Sequence, residues 1–239
     1  MFRWDFYYKQ IEQFLPKDAN ILVVGASEKE IKIFENKNYK NILFSYFDDD
    51  VELIINKYSK NRNFKFQKID CRQIEYPDGY FDYTFTHATI HHIDKPHLAI
   101  LELYRVSQKG VLIIEGNDSI LMRLSAFFSY SEKFEVSSVN LKEKKGGLME
   151  TGVPNYIYRW TEREIYKLLE SYDPSIKKKV IFNYSYDLAN RTLETKLSVK
   201  WFKNLFKLPV IVFLKFFPRQ GNLISIYIDK LNSSKRDFN

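Results

Sequence analysis

The sequence predicts an α/β fold in which a mostly parallel, seven-stranded sheet lies between two layers of helices. Strand-like and helix-like segments alternate through residue 115, Ile21–Val24 is apolar throughout, and two more strand-like segments follow near the C-terminus. Continuous apolar runs are typical of parallel strands buried on both faces. The alternation indicates right-handed crossovers through helices. We therefore expect one domain over residues 1–232 and a disordered tail over 233–239.

Each element of the first half follows from its local pattern. Apolar residues at helical spacing predict a first helix, which Pro16 ends. Alternating polarity predicts the third strand, and Pro96 in a first turn predicts the start of the fourth helix. We predict helices over 5–15, 28–36, 50–58 and 94–106, and strands over 21–24, 41–47, 64–69, 81–86 and 111–115.

The alternation of strand-like and helix-like segments ends after residue 116. A helix is expected over 118–130, followed by a polar, irregular stretch over 131–155. Thr161 with Glu164 three residues later predicts a capping box at the start of another helix. The last two strands are expected over 176–186 and 222–229. This divides the domain into a ligand-binding half, 18–116, and two cap insertions, 117–160 and 187–220.

The residues that follow each strand are the candidate ligand contacts, because open α/β sheets bind ligands beyond the carboxyl ends of their strands. Gly25 follows the first strand with Ala26 and Ser27, and a glycine turn lets the backbone approach a ligand. Asp48 closes the second strand, where an acid can accept both hydroxyls of a ribose. Asp70 closes the third strand, within reach of an adenine edge. Helix caps and turn residues are the alternative roles for these acids.

Three further motifs continue this pattern: Pro77–Asp82, Ile90–His92, and Glu102 followed by Arg105–Gly110. Together with the glycine and the two acids, they resemble the class I S-adenosylmethionine-dependent methyltransferases, especially the small-molecule enzymes of the ubiquinone and menaquinone type. The resemblance covers about residues 18–116. It implies a Rossmann-like fold and S-adenosylmethionine as cofactor. The implied cofactor-binding residues are Gly25, Ala26, Ser27, Asp48, Asp49, Asp70, Cys71 and His87.

The glycine loop departs from the family pattern. The family loop is typically G-x-G-x-G, whereas Ser27 and Lys29 stand at the second and third glycine positions here. Serine is small, but Lys29 must point away, because the cofactor is a sulfonium cation. We interpret the loop as a cofactor loop that has lost glycines. The alternative is a non-catalytic, methyltransferase-like binding or scaffold protein.

His91 and His92 are the candidate catalytic residues. A general base assists methyl transfer to a hydroxyl, and imidazole titrates near neutral pH. His91 is favoured as the base, and the alternative is that a histidine braces the loop. Glu102 and Arg105, three apart on one helix, predict a structural ion pair. No metal ion is expected.

The acceptor is expected to bind between the 117–160 insertion and the first helix. Tyrosines stack well on sugars and planar molecules, although lid packing is the alternative. The segment Gly152–Glu164 resembles segments of methyltransferases linked to bacterial surface-glycan biosynthesis. We therefore expect O-methylation of a small molecule or sugar. The candidate acceptor-binding residues are Asn117, Arg123, Tyr156, Tyr158 and Arg159.

Composition limits the partners and the compartment. The formal net charge is +7, yet no nucleic-acid methylation motif follows the fourth strand, so no nucleic acid is expected. Cys71 is the single cysteine and no signal peptide is visible, which favours the cytoplasm. The basic, aromatic stretch 196–219 predicts either a helix packed on the sheet or on a second copy in a homodimer, or peripheral membrane contact.

Overall fold

The computed structural model describes residues 3–46, 52–58, 60–140, 143–187 and 209–235. Helices α1 to α6 are Arg3–Phe14, Glu28–Asn36, Glu52–Tyr58, Pro96–Val106, Ile120–Phe127 and Glu162–Tyr172. Strands β1 to β9 are Ile21–Val24, Ile42–Tyr46, Phe64–Lys68, Phe81–His87, Ser107–Gly116, Val139–Asn140, Lys145–Gly146, Ile176–Ser185 and Leu223–Lys235. A further helix covers 209–216.

The main sheet has seven strands in the order β3-β2-β1-β4-β5-β9-β8. Strands β1 to β5 pair in parallel, and β9 is antiparallel to both of its neighbours. The chain order reverses between β1 and β4, which is where an open α/β sheet binds its ligand. The predicted fold class, a Rossmann-like, mostly parallel, seven-stranded sheet, is confirmed.

Two hydrophobic clusters cover the two faces of this sheet. On one face, α1 and α2 bury Tyr7 and Phe34 against Phe85 of β4. On the other face, α4 and α6 bury Leu103 and Leu169 beside Ile113 and other residues of the central strands. The apolar side of α1 is thus part of the core, and α1 contributes no residue to the ligand cavity described below.

The predicted pair of Glu102 and Arg105 is confirmed, and it clamps a loop. The Arg105 Nε donates to Glu102 Oε1 at 2.7 Å, and its Nη atoms donate to the carbonyls of Ile74 and Tyr76 at 2.8 Å. Glu102 Oε2 accepts from the Ile74 N–H at 2.8 Å. The two side chains therefore fix the path of the chain from β3 into β4.

Several boundaries differ from the prediction. Strand β5 begins at Ser107, and β9 continues through Lys235, so residues 233–235 lie in the sheet and not in a tail. A register shift after Lys177 lets Ser234 and Lys235 pair with the start of β8. The irregular stretch 131–155 contains the short hairpin of β6 and β7. Thr161 caps α6, with its hydroxyl accepting from the Glu164 N–H at 3.1 Å, whereas the Glu164 carboxylate accepts from Tyr158 instead of completing the predicted capping box.

Candidate active site

A cavity of about 340 Å³ lies at the carboxyl ends of four adjacent parallel strands, β1 to β4. This size is within the range of small-molecule and cofactor sites. Its floor consists of strand-end residues, namely Val24, Gly25, Ala26, Ser45, Tyr46, Ile69, Cys71, Ala88 and Thr89. Its roof comes from the insertion, namely Ser138, Gly146, Gly147, Met149 and Glu150. His92 and Ile93 form one wall.

Gly25 is required where the floor of the cavity turns into α2. Its φ is +73°, a left-handed conformation that favours glycine. A Cβ at this position would lie 2.3 Å from Thr89 Cγ2 and 2.4 Å from Thr89 Oγ1. The backbone of β1 and the loop after β4 therefore approach each other as closely as they do only because residue 25 has no side chain.

The next residues of the loop build the start of α2. Ser27 is its N-cap, and the Ser27 N–H donates to Glu30 Oε2 at 2.6 Å in a capping box. Lys29 points away from the cavity, as predicted, and its Nζ lies 4.0 Å from the centre of the Trp4 ring. Gly25 and Ala26 thus line the cavity, whereas Ser27 stabilises the helix that follows it.

Asp70 has a different environment from the one expected for an adenine contact. Its carboxylate accepts from the Arg72 N–H at 2.9 Å, from Arg72 Nε at 2.9 Å and from Arg72 Nη2 at 2.6 Å. These hydrogen bonds to Arg72 hold the pKa of Asp70 below its ordinary value. The acid therefore braces its own turn, and the adjacent Cys71 lines the cavity.

His87 is also placed differently from the prediction. It is buried at the end of β4, where its Nδ1 lies 2.5 Å from Glu30 Oε1. Its ring packs edge-on against Tyr7 and Trp4 of α1, so it belongs to the core between the sheet and α1 and not to the cavity wall. Asp48 and Asp49 lie outside the described residues, and their proposed ribose contacts stay a prediction.

A buried carboxylate organises the loop that carries the two candidate catalytic histidines. Glu115, at the end of β5, accepts from the N–H groups of Thr89 and Ile90, each at 2.8 Å. Its other oxygen lies 2.7 Å from His91 Nδ1. His91 Nε2 faces Glu135 Oε2 at 3.4 Å, and His92 Nε2 lies 3.5 Å from the same oxygen.

The groups around His91 and His92 shift the pKa values of the two imidazoles in opposite directions. Burial disfavours the charged form of His91, but Glu115 and Glu135 outweigh burial and raise its pKa to about 10. The neighbouring His91 lowers the pKa of Glu135 to about 2. Burial and the neighbouring His91 lower the pKa of His92. These directions favour His92 over His91 as the base, and the catalytic role of either ring stays a prediction.

The five predicted acceptor-binding residues do not line this cavity in the part of the chain that the structure describes. Asn117 is buried, and its Nδ2 donates to the carbonyls of Arg219 and Gly221 at 2.9 and 2.7 Å, so its role is structural. The Arg159 Nη2 donates to the Glu132 carbonyl at 2.9 Å. Tyr158 donates to Glu164 and packs against other aromatic rings.

The remaining two acceptor candidates are at the surface. Arg123 pairs with Asp118 at 2.9 Å on an exposed part of α5. Tyr156 is about half exposed and packs edge-on against Phe134, with ring centres 5.5 Å apart. Phe134 precedes Glu135 in the chain, so this aromatic pair adjoins the histidine–carboxylate cluster.

Most of the roof of the cavity was not predicted from the sequence, and neither was Glu135, the carboxylate beside His91 and His92. Glu135 lies in a polar stretch with no recognisable motif, and only folding brings it to the histidines. The consecutive glycines Gly146 and Gly147 are a signal that could have been used. Both have positive φ, and a Cβ on either would lie within 2.1 Å of a backbone carbonyl oxygen, so they mark a tight fold of the roof.

The comparisons with known proteins agree with this geometry. Residues 22–114 match the model of a methyltransferase domain, which is a little over a third of the chain. They run from β1 to β5 and include the whole cavity floor. Residues 22–114 form a methyltransferase domain, as the resemblance to the class I S-adenosylmethionine-dependent enzymes implied. A search of curated proteins finds no match to the sequence.

Several solved structures have the same fold over nearly the whole length of this chain. A SAM-dependent methyltransferase from Methanosarcina mazei is 17% identical with a TM-score of 0.56, covering 92% of this chain and 96% of its own. One from Archaeoglobus fulgidus is 14% identical with a TM-score of 0.54, covering 95% and 94%. The [4+2]-cyclase SpnF is 12% identical with a TM-score of 0.52, covering 95% and 81%. At these identities the likeness establishes the fold alone.

The residues of the cavity fit S-adenosylmethionine, the cofactor of this domain. Gly25 leaves its backbone open at the point where a side chain would fill the turn. Ile69, Cys71 and Ile93 offer apolar surface for an adenine ring, and Lys29 keeps its positive charge away from a sulfonium. The pairing of Asp70 with Arg72 departs from the expected adenine contact.

No helix in the described ranges combines the length and the apolar character that a transmembrane segment requires. The helix over 209–216 buries Leu214 and exposes Phe213 and Phe216. Residues 196–208 of the basic, aromatic stretch lie outside the described residues. Its two predicted roles, packing on protein or contact with a membrane surface, both stay predictions.

Proposed function

We propose that this methyltransferase transfers the methyl group of S-adenosylmethionine to a hydroxyl oxygen of a small molecule or sugar. The observation that carries the proposal is the position of His92. It is part of the cavity wall, and it lies 3.5 Å from Glu135 in the cluster that adjoins the exposed pair of Phe134 and Tyr156. A polar acceptor that stacks on these rings would meet an imidazole beside the cofactor cavity.

S-adenosylmethionine supplies an activated methyl group together with its own leaving group, so alignment and water exclusion are the main tasks of the protein. Gly25 and Ala26 hold the floor, and Met149 covers the cavity from the roof. Glu115 fixes the loop through Thr89 and Ile90, so that the imidazoles keep one position. His92 then accepts the proton of the acceptor hydroxyl, with Glu135 beside it.

The support for oxygen as the methylated atom is the base itself, because a hydroxyl must lose its proton during transfer. The aromatic pair supports a planar or sugar acceptor, since such rings stack on both. The resemblance of Gly152–Glu164 to segments from bacterial surface-glycan biosynthesis suggests the pathway. The likeness to ubiquinone and menaquinone enzymes offers a quinol-like phenol as the other acceptor class. The single cysteine and the cofactor favour a cytoplasmic enzyme.

The test is methyl transfer from labelled S-adenosylmethionine to a panel of phenols and sugar nucleotides. His92→Gln should lower kcat about 100-fold or more and leave cofactor affinity unchanged, since loss of a general base costs this much. His97→Gln is the matched control, because His97 pairs with Glu164 outside the cavity. Equal turnover of the wild type and His92→Gln on the best acceptor would refute the role of His92.

A second function, cofactor binding without methyl transfer, is favoured by the altered glycine loop and by Asp70. Ser27 and Lys29 replace glycines, and the Asp70 carboxylate is already bonded to Arg72. Calorimetric titration with S-adenosylmethionine separates the cases. Affinity in the micromolar range with no turnover on the panel would favour a binding protein, and affinity weaker than millimolar would favour a scaffold that has lost the cofactor.

A further inference from the structure

Two imidazoles and a carboxylate converge beside the cofactor cavity. One ligand atom from each of His91, His92 and Glu135 lies within 4.8 Å of the other two. Glu135 Oε2 is 3.4 Å from His91 Nε2 and 3.5 Å from His92 Nε2. Ligand atoms about 2.0–2.2 Å from a tetrahedral ion are roughly 3.3–3.6 Å apart, so two edges of this triangle already have the spacing of a metal site.

The shared oxygen has no other partner in the described part of the chain. Glu135 Oε2 is buried and makes no hydrogen bond, although two ring nitrogens face it. A buried carboxylate oxygen without a hydrogen bond costs free energy, because it loses its water without compensation. Both nitrogens therefore lie at ion-pair distance from this oxygen without forming a hydrogen bond with it.

The surroundings of the triangle match those of a ligand set. Glu115 holds His91 through Nδ1 at 2.7 Å, which leaves Nε2 as the nitrogen that faces the space. Histidine ligands in metal sites commonly donate their other ring N–H to a carboxylate in this way. Asn155 accepts from the Glu135 N–H through its carbonyl at 2.9 Å and donates from Nδ2 to the His91 carbonyl at 3.2 Å, so it orients two of the three residues.

We propose that His91, His92 and Glu135 bind a divalent transition-metal ion such as Zn²⁺. Two imidazoles with one carboxylate are a donor set that suits Zn²⁺, Co²⁺ or Fe²⁺, whereas Mg²⁺ prefers oxygen ligands throughout. Three protein ligands leave at least one coordination position open, as catalytic sites do. His92 also lines the cavity, so the open position lies on the side of the cofactor.

The catalytic consequence rests on the proposed function, whereas the metal site itself does not. An ion at this place would bind the acceptor oxygen and lower the pKa of its hydroxyl, and would take over the role of His92 as base. The hydroxyl proton would pass to water, and the S–CH₃ bond of S-adenosylmethionine would break as the new O–CH₃ bond forms, with S-adenosylhomocysteine as the leaving group. The metal site can be tested with neither cofactor nor acceptor present.

The test is calorimetric titration of the full chain, freed of metal with a chelator, with ZnCl₂ alone, repeated with CoCl₂ by visible absorption and with MgCl₂. One Zn²⁺ should bind per chain with micromolar or tighter affinity, Co²⁺ should give the bands of a four- or five-coordinate site, and Mg²⁺ should not bind at millimolar concentration. His92→Ala and Glu135→Gln should each weaken Zn²⁺ at least about 100-fold. Glu115→Gln, a positioning change, should weaken it about 10- to 100-fold.

The matched control is the double variant His97→Ala with Glu164→Gln. This pair has a nitrogen–oxygen distance of 3.2 Å but lies outside the cluster, so its loss should leave Zn²⁺ affinity unchanged. Zn²⁺ affinity weaker than millimolar in the wild type would overturn the proposal, as would equal affinity in His92→Ala, whose ring is partly exposed and whose loss the fold should tolerate. Methyl transfer without any metal effect would overturn the catalytic consequence and leave the proposed function standing.

Discussion

Replacing Gly25 with alanine is the sharpest perturbation of the cavity floor. The new methyl group would lie 2.3 Å from Thr89 Cγ2 and 2.4 Å from Thr89 Oγ1, far inside van der Waals contact. Thr89 has little freedom to move, because its N–H donates to Glu115 and its hydroxyl donates to the His87 carbonyl at 3.0 Å. The loop after β4, which carries His91 and His92, would have to shift away from β1.

The magnitude follows from two contributions. An L-residue in the left-handed conformation costs about 1–2 kcal/mol, and one extra methyl group in a tightly packed place costs about 1–3 kcal/mol. Gly25→Ala should therefore lower the free energy of unfolding by about 2–5 kcal/mol. Cofactor affinity should fall at least about 10-fold, because Gly25 and Thr89 both line the cavity.

Gly79→Ala is the matched control. Gly79 also has positive φ, +65°, but a Cβ there would meet its nearest atom, in Gln108, at 3.7 Å, which is ordinary contact. The control should cost about 1–2 kcal/mol and leave cofactor affinity intact. Urea unfolding gives the stabilities, and calorimetric titration with S-adenosylmethionine gives the affinities. If Gly25→Ala were no less stable than Gly79→Ala and bound the cofactor as tightly as the wild type, the described contact between β1 and the β4 loop would be wrong.

Three further predictions concern the surroundings of the site. Glu102→Gln should lower the free energy of unfolding by about 1–3 kcal/mol at neutral pH. The hydrogen bond from Arg105 lowers the pKa of Glu102, so the stability difference from the wild type in urea unfolding should vanish as the pH falls below 4.5, and a pH-independent difference would contradict this. Asp70→Asn should lower the stability of the protein yet change cofactor affinity less than about threefold, because the Asp70 carboxylate already accepts hydrogen bonds from Arg72. A large loss of cofactor affinity in calorimetric titration would restore the predicted adenine contact. Burial raises the pKa of the Cys71 thiol to about 12, so iodoacetamide at pH 8 should label this cysteine slowly in the native protein. Labelling should be slower still with bound cofactor and rapid in urea, and equal rates would contradict the burial of Cys71 in the cavity floor.

The sheet was predictable from the sequence because its strands have local signatures. Ile21–Val24 is a continuous apolar run, and it is buried at every position between β2 and β4. Glu102 and Arg105 were paired correctly because three residues separate neighbours on one helix face. Such features depend on spacing along the chain, and the sequence contains that information directly.

The site was predictable only where it is built from strand ends. Gly25, Ala26 and Cys71 line the cavity because the position of a residue after a parallel strand fixes which edge of the sheet it reaches. Asp70 follows β3 and His87 is the last residue of β4, but their side chains are bonded to Arg72 and Glu30. Which neighbour captures a side chain depends on contacts between distant segments, and the strand pattern does not contain them.

The insertion shows the same limit more strongly. Glu135 is brought to His91 by the fold of the 131–155 stretch, in which the Glu135 N–H donates to the Asn155 carbonyl at 2.9 Å. No local periodicity marks it as a site residue. The raised pKa of His91 depends on Glu115 and Glu135 together, so it follows only from the three-dimensional arrangement.

The most direct measurement is a crystal structure of the protein with S-adenosylhomocysteine, the demethylated cofactor. The adenosyl group should occupy the cavity between the Gly25 turn and Met149, with its ring beside Cys71 and its sulfur directed toward His92. A cavity that remains empty at millimolar ligand, or a ligand bound elsewhere on the chain, would contradict the assignment of this strand-end cavity as the cofactor site.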